Sequence, residues 1–182
     1  MAGAQKEIHR DLIEQSKQGD SGAQYRLYKL YARAMFNIAM RLMNSREEAE
    51  DMLQDSFVDA FARLKGFRFE SSFGSWLKRI VVNNCLNELK RRKADLHFFD
   101  DMSMFDGQKE DEQDYEKGLS VENIRKAMEQ LPGGARMIFS LYLLEGYDHV
   151  EIAQILNISE SNSKSQYMRA KRKVKEILTE QL

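Results

Sequence analysis

The 182-residue chain has a single cysteine and a single proline. Cys85 alone cannot close an internal disulfide, and no Cys/His spacing offers the four ligands of a structural zinc, so no metal site is expected. With only Pro132 and ten glycines, turn chemistry is too sparse for the many short strands of a sandwich or barrel, and an all-α fold is expected. Long apolar runs are also missing. No stretch of about 18 apolar residues could span a bilayer, and the opening MAGAQKEIHRDLIEQ lacks the apolar core of a signal peptide. A cytoplasmic protein in a reducing compartment is the expectation. No motif joins a nucleophile to a base or calls for a cofactor, so neither catalysis nor a cofactor is expected. An excess of one charge is absent too: 28 Lys plus Arg face 29 Asp plus Glu, a net of -1. The whole-chain balance therefore gives no hint of nucleic acid.

That balance conceals three unequal zones. Residues 1–93 carry +5, residues 94–119 carry -7 and residues 120–182 carry +1. The middle zone, ADLHFFDDMSMFDGQKEDEQDYEKGL, has no helical or alternating apolar period and is acidic enough to resist collapse. It reads as a linker between two small domains, with a short apolar patch, His97 to Phe99 with Met102, Met104 and Phe105, that could dock on a surface.

Four helices are expected in the first domain. Residues 5–17 form an opening helix that QGDSG interrupts, and a second runs from about Ala23 to Met43 with Leu27, Leu30, Tyr31, Ala34, Ile38 and Leu42 at helical spacing. Ser45 with Glu48 three residues later is a capping-box pattern, placing the start of a third helix at Arg46. Its residues Ala49, Met52, Leu53, Ser56, Phe57, Ala60, Phe61 and Leu64 make one continuous apolar stripe. An aromatic loop, Phe67 to Phe73, leads to a fourth helix that turns Phe73, Trp76, Leu77, Ile80 and Val81 inward and ends in Lys90, Arg91, Arg92 and Lys93. The second domain reads as helices near 120–131, 134–145, 148–156 and 160–178. Asp148 and Glu151 cap the third of these, and Asn157–Ile158–Ser159 makes a tight turn, so the last two helices fit a helix-turn-helix.

The segments AEDMLQDSFVDAFARLKGFR, FGSWLKRIVVNNCLNELKRRK and LEGYDHVEIAQILNISESNSKSQYMRAKRKVKEIL, in that order and spacing, resemble a bacterial RNA polymerase sigma factor of the sigma-70 family, extracytoplasmic-function (ECF) group. The resemblance implies a non-enzymatic protein with two helical domains: region 2 at 1–93, reading the promoter −10 element, and region 4 at 120–182, reading −35, joined by the linker 94–119. It implies core RNA polymerase as partner, through the β′ coiled coil and the β flap, together with promoter DNA and an anti-sigma factor.

Three groups of residues carry the expected functions. Asp51, Gln54 and Asp55, at i, i+3 and i+4, share a helix face turned away from the Met52/Leu53/Phe57 stripe, and two carboxylates beside an amide suit Arg or Lys on a partner. A solvated face is the plain alternative; this D-x-x-Q-D pattern matches the family's contact with the β′ coiled coil. In the fourth helix Arg79, Asn83, Asn87, Lys90 and Arg91 form one polar stripe. Asn is a poor helix former, costing roughly half a kcal/mol relative to Ala, so Asn83, Asn84 and Asn87 call for compensation. Bases and phosphates of an opened −10 strand would supply it, with Phe67, Phe69, Phe73 and Trp76 nearby either as stacking surfaces or as core. In the last helix Tyr167, Ala170, Val174, Ile177 and Leu178 have the period of a buried face, while Lys164, Ser165, Met168, Arg169 and Arg172 are the −35 candidates. A solvated basic helix end is the alternative there.

The chain departs from the family at Ser161–Asn162–Ser163, where typical members carry Gly-Thr-Val, and at Gln166, usually Arg. A serine in place of a buried valine is expected to loosen the recognition helix, and Gln166 to alter the donors facing DNA. The linker adds a geometric condition. Two elements about two helical turns apart are separated by roughly 70 Å. A flexible chain of residues 94–119 spans about 30 Å on average and roughly 90 Å fully extended. Both elements are reached only if a scaffold such as core polymerase stretches the linker. In the free protein the acidic segment is expected either to cover DNA-facing cations or to remain a mobile tether. Two rivals remain at this stage: a sigma-like decoy that sequesters an anti-sigma factor without supporting transcription, and a lone helix-turn-helix repressor.

Overall fold

A computed structural model describes residues 8–91 and 120–180. The acidic segment 94–119, and the autoinhibitory contact expected of it, lie outside the described residues. The chain divides into two units, Met1–Glu88 and Leu89–Leu182, and the described residues of both are helical, without strands.

In the first unit α1 spans Arg10–Lys17, beginning later than the expected 5–17, whose first residues are not described. Gly19, at φ +90°, breaks the chain there, a left-handed turn that glycine takes without a Cβ clash. The Asp20 carboxylate then accepts the Ala23 N–H at 2.7 Å, so α2, Ser21–Met43, starts two residues before the expected Ala23. Asn44, left-handed at φ 56°, ends α2, and the Ser45 hydroxyl accepts the Glu48 N–H at 3.5 Å to open α3, Arg46–Arg63. The α3 stripe is buried as expected from Ala49 through Ala60 and on to Leu64, with Phe61 half-buried.

The α2 expectation needs correction. Leu27, Ile38 and Leu42 are buried, but Leu30 is 52% exposed and Ala34 is exposed as well. The principal partner of α2 is α3, which selects the ridge Met35, Ile38, Ala39 and Leu42 and leaves the Leu30/Ala34 side to solvent. After a 3₁₀ turn, Leu64–Gly66, α4 runs Phe73–Arg91. Its buried side holds Phe73, Leu77, Ile80, Val81, Val82, Cys85 and Leu86, with Trp76 half-buried. A Cβ at Gly74 would sit 3.2 Å from the Tyr31 ring, so the start of α4 approaches α2 closely.

The second unit opens with α5, Val121–Glu129, capped by Ser120, which accepts the Asn123 N–H at 3.1 Å. Pro132 then leads into α6, Gly133–Phe139. The helix expected over 134–145 is not regular throughout: Ser140–Leu144 widens into a π-helical segment, closed by Glu145 N–H donating to Ser140 C=O at 3.1 Å. The widened turn keeps Ser140 and Leu141 buried and brings Tyr142, Leu143 and Leu144 to the surface. α7, His149–Leu156, begins with the full capping box of Asp148 and Glu151 and ends at left-handed Asn157. The Ser159 hydroxyl accepts the Asn162 N–H at 3.0 Å to open α8, Glu160–Glu180. Met128, Leu131 and Phe139 pack with Ala170, Val174 and Ile177 in the core of this unit.

Candidate nucleic-acid interface

The α3 face lies opposite its buried stripe. Asp51, Gln54 and Asp55 are all exposed, with Met52, Leu53, Ser56 and Phe57 buried behind them. Of the other α3 carboxylates, Glu50 pairs with Arg46 at 2.9 Å and Asp59 with Arg63 at 3.5 Å, while exposed Glu47 joins no ion pair among the described residues. Asp51 and Asp55 join no ion pair among the described residues. The helix thus presents two carboxylates and one amide with their acceptors open to a cationic partner.

On α4 the polar stripe is brought to one exposed side, with Arg79, Asn83, Asn87, Lys90 and Arg91 all at the surface. The third asparagine behaves differently. Half-buried Asn84 donates to Ser56 Oγ at 3.3 Å and to Asp59 Oδ2 at 3.1 Å, tying α4 to α3. Its helix-propensity cost has a structural compensation, and among the described residues Asn83 and Asn87 have no such bond.

The aromatic loop divides between the two roles considered for it. Phe67 and Phe73 are buried and unavailable to bases; Phe69 and Trp76 are half-buried. The rings of Phe67 and Trp76 lie 5.1 Å apart and those of Phe73 and Trp76 5.7 Å apart, a mutually packed cluster. Phe69 sits at φ +60° and carries two cations from α1 over its ring, Arg10 at 4.4 Å and Lys17 at 4.3 Å. Lys17 Nζ also donates to Phe67 C=O at 2.8 Å. Sequence reasoning passed over this role of α1 in fixing the loop before α4. The available signal was a pair of α1 cations about two turns apart on one face, Arg10 and Lys17, in a chain whose one F-x-F loop needs a support.

On α8 Lys164, Ser165 and Met168 are exposed, and Arg169 and Arg172 are half-buried. Lys164 pairs with Glu160 at 2.5 Å across one turn. Such a surface pair contributes about 0.2 to 1 kcal/mol and yields readily to a phosphate or base. Of the two departures from the family pattern, the one at Gln166 comes out differently from expectation. Gln166 does not face DNA: it is 2% exposed, its amide donates to Asn162 Oδ1 at 2.9 Å, and its buried Oε1 has no hydrogen-bond partner. Helical geometry accounts for this, since Gln166 lies four residues before Ala170 and three after Ser163, both buried. Ser163 is buried, as a valine there would be. Its hydroxyl meets His149 Nδ1 at 2.9 Å, joining the starts of α7 and α8. The His149 ring stacks on Tyr142 at 4.3 Å, and burial, then nearby Lys164, push its pKa below the ordinary histidine value, favouring the neutral ring.

An orphaned buried acceptor costs about 1 to 3 kcal/mol, so Gln166→Met, of similar length and without that oxygen, is expected to stabilise the second unit by about 1 kcal/mol. Urea denaturation checks it; an unchanged or lower midpoint means that Gln166 Oε1 is satisfied in solution. Cys85 has no comparable part. Burial pushes its thiol up to about 12, so it stays protonated and packs as a small apolar group rather than as a redox sensor.

α7 and α8 form a helix-turn-helix with cations on the second helix, α4 presents a cation-and-amide stripe and α3 a face of open carboxylates, features that suit a DNA-binding protein with a protein partner. The chain belongs to the sigma-70 family, in its ECF group: Sigma-70 region 2 matches residues 27–94 and Sigma-70, region 4 matches residues 121–174. It is 27% identical to the ECF RNA polymerase sigma factor SigM of Mycobacterium tuberculosis, covering 97% of this chain and 87% of that one. The RNA polymerase sigma-H factor of Pseudomonas aeruginosa is also 27% identical, with 95% of each chain covered. Among solved structures, the sigma factor RpoE of Bartonella quintana, crystallised with the anti-sigma factor NepR, shares the fold at a TM-score of 0.55 and 22% identity, over 85% of this chain and 96% of that one. The protein is therefore a sigma factor, acting in promoter-specific initiation with core RNA polymerase and promoter DNA, in a family whose members are not catalytic enzymes. Among the described residues no helix is long and apolar enough to cross a membrane.

Proposed function

We propose a division of labour by residue. Asp51, Gln54 and Asp55 dock the first unit on the β′ coiled coil of core polymerase; Arg79, Asn83, Asn87, Lys90 and Arg91 engage the opened −10 element. Lys164, Ser165, Met168, Arg169 and Arg172 read and hold −35 DNA, while the second unit meets the β flap. In this scheme region 2 occupies 1–93, the acidic linker 94–119 and region 4 120–182. The protein works beside polymerase in the cytoplasm, and an anti-sigma factor holds it inactive until a signal arrives. The observation that carries the reading is the contrast on α3, where Asp51 and Asp55 stay open while Glu50 and Asp59 are ion-paired. A face kept free of internal partners is what a docking helix requires.

Reconstituted transcription with core polymerase on genomic fragments tests the whole reading and reports the promoter at once. Specific initiation is expected. Binding of an anti-sigma factor without any transcript would make the chain a decoy. Within the scheme, Asn83→Ala is expected to leave −35 duplex binding intact and to impair strand opening, since this exposed asparagine, unlike Asn84, has no structural compensation among the described residues. Permanganate reactivity of promoter thymines reads the effect; normal reactivity in the variant holoenzyme would mean that Asn83 takes no part in opening.

A further inference from the structure

The charge of α2 is not used by any role assigned so far. Its 23 residues, Ser21–Met43, include Arg26, Lys29, Arg33 and Arg41 and no acid at all. Arg26, Lys29 and Arg33 are exposed on one ridge, together with Tyr25, which is 61% exposed. Arg26 and Lys29 are three residues apart and Lys29 and Arg33 four, so like charges face each other across successive turns, an arrangement that destabilises a helix. Elsewhere in the same unit the exposed cations Arg46 and Arg63 each have an acid one turn away and pair with it, Arg46 with Glu50 at 2.9 Å and Arg63 with Asp59 at 3.5 Å. On α2 the partners are neutral: Arg26 donates to Gln15 Oε1 at 3.3 Å, and Lys29 Nζ lies 5.8 Å from the centre of the Tyr25 ring. Three cations stand over about 10 Å of helix at 1.5 Å per residue, mutually repelling and without an acidic partner among the described residues. A polyanion laid along the ridge would relieve that repulsion.

We infer that the Tyr25, Arg26, Lys29 and Arg33 ridge of α2 binds the sugar-phosphate backbone of a single-stranded segment of opened promoter DNA, as a second contact beyond the α4 stripe. Charge complementarity selects a polyanion. The exposed aromatic ring interleaved with the cations selects a single strand, whose unstacked bases offer a face to Tyr25 that a duplex keeps inside. The ridge is sequence-blind, because cations on phosphates position a strand without reading it. It therefore adds affinity for opened DNA whatever promoter the other surfaces choose. The inference rests on the reading of the chain as a sigma factor that opens DNA.

The test compares holoenzymes carrying the natural chain, the triple variant Arg26→Gln/Lys29→Gln/Arg33→Gln, and Tyr25→Ala. Each is titrated with a fluorescein-labelled promoter, held open by mismatches, over a range of salt concentrations. Three lost single-strand phosphate contacts should flatten the slope of log affinity against log salt by about 2 units, with core affinity and promoter preference unchanged. Tyr25→Ala should weaken binding to the open DNA about tenfold without changing the slope. An unchanged slope in the triple variant overturns the inference, as does a loss of slope on fully paired promoter alone, which would make the contact one to duplex. A fall in core affinity instead would make the ridge a polymerase surface and likewise overturn it. If the natural holoenzyme binds no open promoter at all, the sigma-factor reading fails first, and that result is distinct from the other three.

Discussion

Asp51→Ala combined with Asp55→Ala is expected to abolish measurable binding to core polymerase and to leave the fold untouched. Both carboxylates are exposed and free of ion pairs among the described residues, so the folded chain loses little when they go. Alanine is moreover the better helix former, and α3 should if anything gain a few tenths of a kcal/mol at each position. On the partner side the balance reverses. Charge-assisted hydrogen bonds contribute about 1.5 to 3 kcal/mol each, so the pair accounts for about two to four orders of magnitude in affinity. Fluorescence anisotropy of labelled protein with core gives the affinity, and circular dichroism gives the helix content and thermal midpoint. Undiminished affinity would remove these residues from the interface. Lost affinity together with a lowered midpoint would show instead that they support the fold. The salt dependence adds a further check, because an interface built on two carboxylates should weaken as ionic strength rises.

What the sequence made legible, and what it hid, follows from the range of the interactions involved. Local signals were readable: the Asp148/Glu151 capping box, the left-handed Asn157 turn and the Ser45 cap each depend on residues within four positions of one another. The α3 stripe was also readable, because a helix buried along one side repeats its apolar residues with its own period. The α2 stripe was misread at Leu30 and Ala34 because periodicity finds a helix but not which of its ridges a neighbour covers. Gln166 was misplaced for a related reason. Its side chain is polar, and resemblance to the family argued for the DNA side, yet its register with Ser163 and Ala170 puts it inside. The register was available in the sequence and pointed the right way. The Asn84 bonds to Ser56 and Asp59 join residues 25 or more positions apart, which no local pattern encodes. The π-helical widening at Ser140–Leu144 had no sequence signal either, since neither proline nor glycine marks it.

The same long-range logic governs the second large effect, at the junction of α4 with the aromatic loop. Phe73 is fully buried, with the rings of Tyr31 at 5.0 Å, Phe67 at 5.9 Å and Trp76 at 5.7 Å around it. Phe73→Ala deletes a ring from the centre of that cluster, and a buried Phe→Ala substitution costs about 3 to 5 kcal/mol. A small domain holds only about 5 to 15 kcal/mol in total, so the first unit should lose much of its stability. At about 4 °C or more per kcal/mol, its thermal midpoint should fall by at least about 12 °C. Core binding and −10 opening should then fail together, because the α3 face and the α4 stripe depend on one core. Trp76→Ala should cost less, since the half-buried indole gives up less packing, and its loss leaves Phe73 sealed by Tyr31 and Phe67. Phe73→Leu should restore most of the midpoint, an apolar replacement being sufficient for a residue whose part is to fill space. Calorimetry of the full chain resolves these differences. If Phe73→Ala kept its midpoint and lost only promoter opening, Phe73 would be a base-stacking residue and the loop would have to turn outward to use it.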